Sequence, residues 1–137
     1  MSNGVSVISL DRKFKKFERE IEKTASKILK ILNKTGVAVE IYLIDGQKMR
    51  FLNKRFRGKD KTTTILSFEE PRNFILPASK FRKIGEIYLR LPIADCLINQ
   101  LLTHGLLHLL GYNHQKKSDR IKMELKERKL LKFLISN

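Results

Sequence analysis

The chain has 137 residues, 42% of them apolar, which is the length of one domain and enough apolar material for a core. That balance excludes a disordered chain, and no apolar run is long enough to cross a bilayer. Twenty-nine Lys and Arg against fourteen Asp and Glu leave a net charge of +15, an excess that attracts polyanions, nucleic acid first among them. The same excess would also serve as a solubility device or follow from a lysine-rich proteome.

The elements follow in order. Gly4 to Leu10 alternates Val5 and Val7 with serines and predicts a strand. Asp11 can cap a helix over Arg12 to Thr35, where Phe14, Phe17, Ile21, Ile28 and Ile31 recur near a 3.6-residue period. Gly36 would end it. Val37 to Ile44 is a clearer strand, and Asp45-Gly46 is a turn signal. Met49, Leu52, Asn53 and Phe56 predict a short helix over Gln47 to Phe56, followed by a charged turn from Arg57 to Lys61. Thr64 to Phe68 reads as a strand, Glu69 to Lys83 as an exposed loop with Pro71 and Pro77, and Ile84 to Leu91 as a further strand. Pro92 suits a helix start. From Ile93 to Leu110 the chain is apolar on nearly every side, as in a central buried helix, and Gly111 breaks it. Ser118 can cap a last helix through Ile135, built on Ile121, Leu125, Leu130 and Leu134. The order predicts one α+β domain over residues 1–137, a mixed sheet of about four strands packed with helices. The single cysteine, Cys96, excludes an internal disulfide. An N-terminus without a signal-peptide layout agrees with a reducing cytoplasm.

All three histidines of the chain fall in one short run, His104, His108 and His114. The first two are one turn apart on one helix face, and Gly111 can turn the chain so that His114 reaches the same ion. Three imidazoles leave one tetrahedral position of a zinc ion open, as catalysis requires; a purely structural zinc normally has four protein ligands. Nickel or another divalent metal would also suit such a trio. The competing reading is three independent core or surface histidines. The ligand spacing is that of a metzincin protease, but Gly105 stands where those enzymes carry the glutamate base, which argues against proteolysis.

The run His104 to His114 resembles the zinc motif of the YbeY family of bacterial endoribonucleases. Leu52-Asn53, then Phe56-Arg57-Gly58-Lys59-Asp60, then Ile65-Leu66-Ser67-Phe68, resemble that family's Leu-Asn, aromatic-Arg-Gly-Lys-Asp and Val-Leu-Ser-Phe runs, and Gly85-Glu86-Ile87 is a weaker match. Asn113, Thr62, Thr64 and Glu69 depart from the pattern. The resemblance implies cleavage of single-stranded RNA, 16S rRNA 3′-end maturation, ribosome quality control, contact with the ribosome or ribosomal proteins, and an arginine, Arg57, near the metal. A zinc ion on three neutral imidazoles would lower the pKa of its water toward 7. Arg57 can grip two phosphate oxygens, and Lys59 can hold the RNA backbone; on residue chemistry alone Arg57 reads first as a solvated turn cation, and Lys59 equally as a solvent-facing lysine. Asp60 reads as a turn residue, Ser67 as a strand residue without a base, Cys96 as core packing and Tyr112 as packing beside the glycine turn. The rival functions are a basic RNA- or ribosome-binding module with a structural metal, a metalloprotease, and another metal-dependent hydrolase.

Overall fold

The computed structural model describes residues 3–70, 81–112 and 117–135. Strand β1 (Gly4–Ser9) is followed by Asp11, whose carboxylate accepts from the Lys13 N–H at 3.1 Å. What Asp11 caps is a 3-10 helix, Arg12–Phe17, that passes into α1 (Glu18–Ile31). Three residues per turn put Phe14 and Phe17 on one side, and both pack into the core. The single helix expected to Thr35 is thus two pieces, and it stops early. Asn33 adopts a left-handed φ of 57°, its N–H bonds the Lys30 carbonyl, and the Lys34 N–H bonds that of Leu29. This is a Schellman stop in which asparagine replaces glycine. Gly36, at φ 69°, turns the chain into β2 (Val37–Ile44) instead of ending the helix.

Helix α2 (Gly46–Arg57) is capped by the Asp45 carboxylate, which accepts from the Lys48 N–H at 2.8 Å. Strands β3 (Ile65–Glu69) and β4 (Arg82–Arg90) follow, each reaching into the segment read as loop. Helix α3 (Asp95–Leu109) begins after Pro92, with Ala94 as its extended N-cap. Cys96 lies in its exposed first turn, not in the core. From Ile98 onward α3 is the central helix expected. Helix α4 (Lys117–Ile135) closes the fold.

The sheet order is β1-β2-β4-β3, with β1, β2 and β4 parallel and β3 antiparallel at the edge. Alternation sends Val39, Ile41, Leu43, Ile87 and Leu89 to the face covered by α1 and α3. There they meet Ile28, Leu29, Leu102, Leu106 and Leu107, all fully buried. Each such side chain contributes about 1.5–3 kcal/mol of burial. Gly85, at φ 153°, lets β4 lie close beside the end of β3, because a Cβ there would overlap the Phe68 carbonyl oxygen. On the opposite face Met49 of α2 packs with Ile44 and Leu66.

Beside that second cluster, the Lys83 ammonium lies 2.6 Å from Glu40 and 3.2 Å from both Glu70 and Glu86. Tyr42 donates to Glu40 at 2.8 Å and stacks on Tyr88 with ring centroids 4.8 Å apart. Bonding to Lys83 holds the Glu40 carboxyl below its ordinary value, and bonding to Glu40 raises the Lys83 ammonium. Burial first, then Glu40, pushes the Tyr42 hydroxyl up to about 12.

Helix α4 departs from its expected stripe. Met123 and Leu130 are buried, whereas Ile121 is 46% and Leu125 58% exposed. The Leu134 side chain lies outside the described residues. Among the described residues, no helix is long and apolar enough to cross a membrane.

Candidate metal centre and nucleic-acid cleft

His104 and His108 stand one turn apart on α3 and both line a cleft of about 470 Å³ between α3, β3 and the end of α2. That volume is in the range of small-ligand sites. Gly105, between them, is buried against the sheet. A Cβ there would come within 3.0 Å of Ile65, 3.2 Å of Ile87 and 3.3 Å of Ser67. The residue where a metzincin keeps its catalytic glutamate is therefore a close-packing point that brings the two histidines down onto β3.

Each of these imidazoles has a carboxylate near Nδ1. Glu127 Oε1, from α4, is 2.9 Å from His104 Nδ1. Glu69 Oε1, at the end of β3, is 3.6 Å from His108 Nδ1, an ion-pair distance too long for a hydrogen bond. An imidazole donating from Nδ1 in its neutral form carries its lone pair on Nε2, where it can ligate a metal.

Helix α3 ends in a Schellman turn. The Gly111 N–H bonds the His108 carbonyl, the Tyr112 N–H bonds that of Leu107, and Gly111 has φ 103°. The predicted turn at Gly111 is present, and Tyr112 packs against the core beside it. His114 and Asn113 lie outside the described residues. Among the described residues, no three or more His, Cys, Asp or Glu side chains cluster to hold a metal ion. The donor chemistry at His104 and His108 fits a divalent ion, and a three-imidazole set requires His114.

The opposite wall of the cleft is cationic. Gly58, at φ 70°, ends α2 and turns the chain sharply, so Arg57 and Lys59 both line the cleft. The Arg57 guanidinium lies 5.6 Å from the Phe68 ring centroid and donates through Nη2 to the Ser67 carbonyl at 3.0 Å. Ser67 thus contributes its carbonyl oxygen as an anchor. Asp60 pairs with Arg50 at 2.8 Å on the surface, as a turn residue, and that bond holds its carboxyl below its ordinary value. Lys61 joins Arg57 and Lys59 in the lining. No carboxylate is among the described residues that line the cleft; Glu69 and Glu127 sit at the Nδ1 atoms of the rings instead.

Sequence reasoning missed three contributors. Asn53 is 3% exposed and donates from Nδ2 to the Lys61 carbonyl at 2.8 Å, so it fixes the cationic turn. A polar residue on the apolar stripe of α2 was its signal. Lys61 was hidden in a charged run. Glu127 had no local signal, because its partner lies 23 residues away on another helix.

The model of the family described as Endoribonuclease YbeY matches residues 6–135. A protein of Sulfurihydrogenibium sp. named Endoribonuclease YbeY is 36% identical over 120 residues, covering 80% of this chain and 75% of that one. Its namesake in Aquifex aeolicus is 32% identical, with 98% of this chain and 91% of that one covered. The solution structure of a Thermotoga maritima protein superposes with a TM-score of 0.58 at 22% identity, over 93% of this chain and 86% of that one, and has the same fold. The match over nearly the whole chain and the relatives' identity agree, and this protein belongs to the YbeY endoribonuclease family.

Proposed function

We propose that this protein is a metal-dependent endoribonuclease that cuts single-stranded RNA in the cleft between α2 and α3. The observation that carries the reading is one wall of paired histidines facing another of Arg57, Lys59 and Lys61, with no carboxylate among the described lining residues. Such a cleft attracts polyanions, a phosphodiester backbone among them, and disfavours basic peptides.

His104, His108 and His114 would hold the ion, zinc in this reading, with nickel or another divalent metal as a substitute. When bound, the ion supplies Lewis-acid activation of water or of a phosphoryl oxygen. The protein's own part is positioning. Arg57, steadied by Phe68 and the Ser67 carbonyl, has N–H donors left to grip two oxygens of the scissile phosphate and to stabilise the charge that develops there. Lys59 and Lys61 hold neighbouring phosphates, and Asn53 keeps their turn in place. The close packing of Gly105, where no glutamate base can stand, weighs against peptide hydrolysis. In the cell we assign the activity to 16S rRNA 3′-end maturation and ribosome quality control, in the cytoplasm and in contact with the ribosome.

The test is cleavage of a fluorescent single-stranded RNA by zinc-loaded protein, beside a duplex of the same sequence and a His108→Ala variant. The reading predicts cuts in the single strand only, abolished by His108→Ala and by chelation. Equal cutting by wild type and variant would refute it.

A further inference from the structure

The carboxylate of Glu127 reaches from α4 to His104, and neither the cationic wall nor the three-histidine set accounts for it. An ionised carboxylate only accepts hydrogen bonds, so at 2.9 Å the Nδ1 atom of His104 is the donor. That one contact decides which ring nitrogen of neutral His104 carries the proton. It puts the lone pair on Nε2 and holds the ring against rotation about its side-chain bonds.

Glu127 is well placed to do this. Its side chain is 18% exposed, against 37% for His104, so the pair is partly shielded from water. It sits between Met123 and Leu130, the two buried anchors of α4. The helix is thus clamped to the core on both sides of the glutamate. Glu124, one turn earlier on the same helix, is exposed and lies outside this contact.

We propose that Glu127 is a positioning residue for the metal centre: it fixes His104 as the Nδ1–H tautomer and raises the basicity of its Nε2 toward the ion. The inference rests on the metal-binding reading given above. Carboxylates behind ligating imidazoles typically account for about 10–100-fold in metal affinity.

The experiment has two readouts. In metal-free protein at neutral pH, long-range proton–nitrogen correlation spectra report the tautomer of each histidine, assigned with single His variants. Wild type should show His104 protonated on Nδ1, and Glu127→Ala should lose that preference. Competition with a chromophoric chelator then gives zinc affinity. Glu127→Ala should bind about 10–100-fold more weakly. Glu127→Gln keeps the shape and an accepting oxygen without the charge, so it should keep the tautomer and fall between. Should Glu127→Ala fail to fold, Glu127→Gln alone decides, because wild-type zinc affinity in it would remove the charge effect. Glu124→Gln should match wild type; a loss there equal to that of Glu127→Gln would assign the effect to bulk charge and overturn the proposal. Wild-type affinity in folded Glu127→Ala, or a wild-type His104 protonated on Nε2, would overturn it as well. A wild-type protein without zinc affinity would instead refute the metal-binding reading, while the tautomer of the metal-free protein would still decide the role of Glu127.

Discussion

The Arg57 side chain is held by two contacts. Its guanidinium is spent in part on the Ser67 carbonyl and the Phe68 ring, which fixes where its other donors point. Removing it should cost transition-state stabilisation and little else, since the side chain is exposed and carries no core packing. Arg57→Ala is expected to keep its zinc and melting temperature and to lose about 10²–10³-fold in single-turnover RNA cleavage. Retention of full cleavage by that variant would end the role. At this scale the sequence was informative wherever function depends on local spacing: His104 and His108 are one helical turn apart, and Arg57 is next to a glycine that has to turn. It was silent on Glu127 and Lys61 and gave Asn53 only as a polar residue on an apolar stripe, because their parts depend on contacts between elements. Cys96 was misread for a related reason: apolar neighbours in sequence do not reveal that the first turn of α3 projects beyond the core.

Element by element, most of the fold could be read from periodicity, and the errors share a cause. α1 was drawn too long because asparagine, unlike glycine, does not advertise a left-handed stop. In α4 the predicted stripe of Ile121, Leu125, Leu130 and Leu134 holds at Leu130, but Met123 takes the buried place in the first turns while Ile121 and Leu125 face solvent. The Lys83 cluster on the sheet was likewise invisible, because its glutamates come from β2, β4 and the residue after β3. It has a clear pH signature. Glu40 is depressed, so its contribution is present above the ordinary 4.5 and disappears as pH falls through its lowered value. Lys83 is raised, so its contribution is complete below 10.5 and disappears only at more alkaline pH. Lys83→Met, which leaves three part-exposed carboxylates together, should cost roughly 1–3 kcal/mol at neutral pH by urea unfolding. The deficit should shrink as pH falls through the lowered value of Glu40. A deficit independent of pH would mean that the cluster contributes packing alone.

Across the whole molecule, a charge of +15 surrounds a cleft that carries three of those cations. If only Arg57, Lys59 and Lys61 neutralise phosphates, log affinity for single-stranded RNA should fall with log salt at a slope of about −2. Further contacts over the basic surface would steepen it. A slope near zero, measured by fluorescence anisotropy, would mean that the charge serves solubility and not docking. The fold class, the central helix and its two histidines follow from sequence pattern. The closeness of the two walls does not, because Gly105 and Gly85 set it through packing that only the assembled sheet reveals.

Zinc content combined with X-ray absorption at the metal edge tests the central claim most directly. The account predicts one zinc per chain, coordinated by three imidazole nitrogens and completed by lighter oxygen ligands, and lost on His104→Ala or His108→Ala substitution. Zinc that persists with unchanged coordination in those variants, or a site closed by four protein ligands, would contradict it.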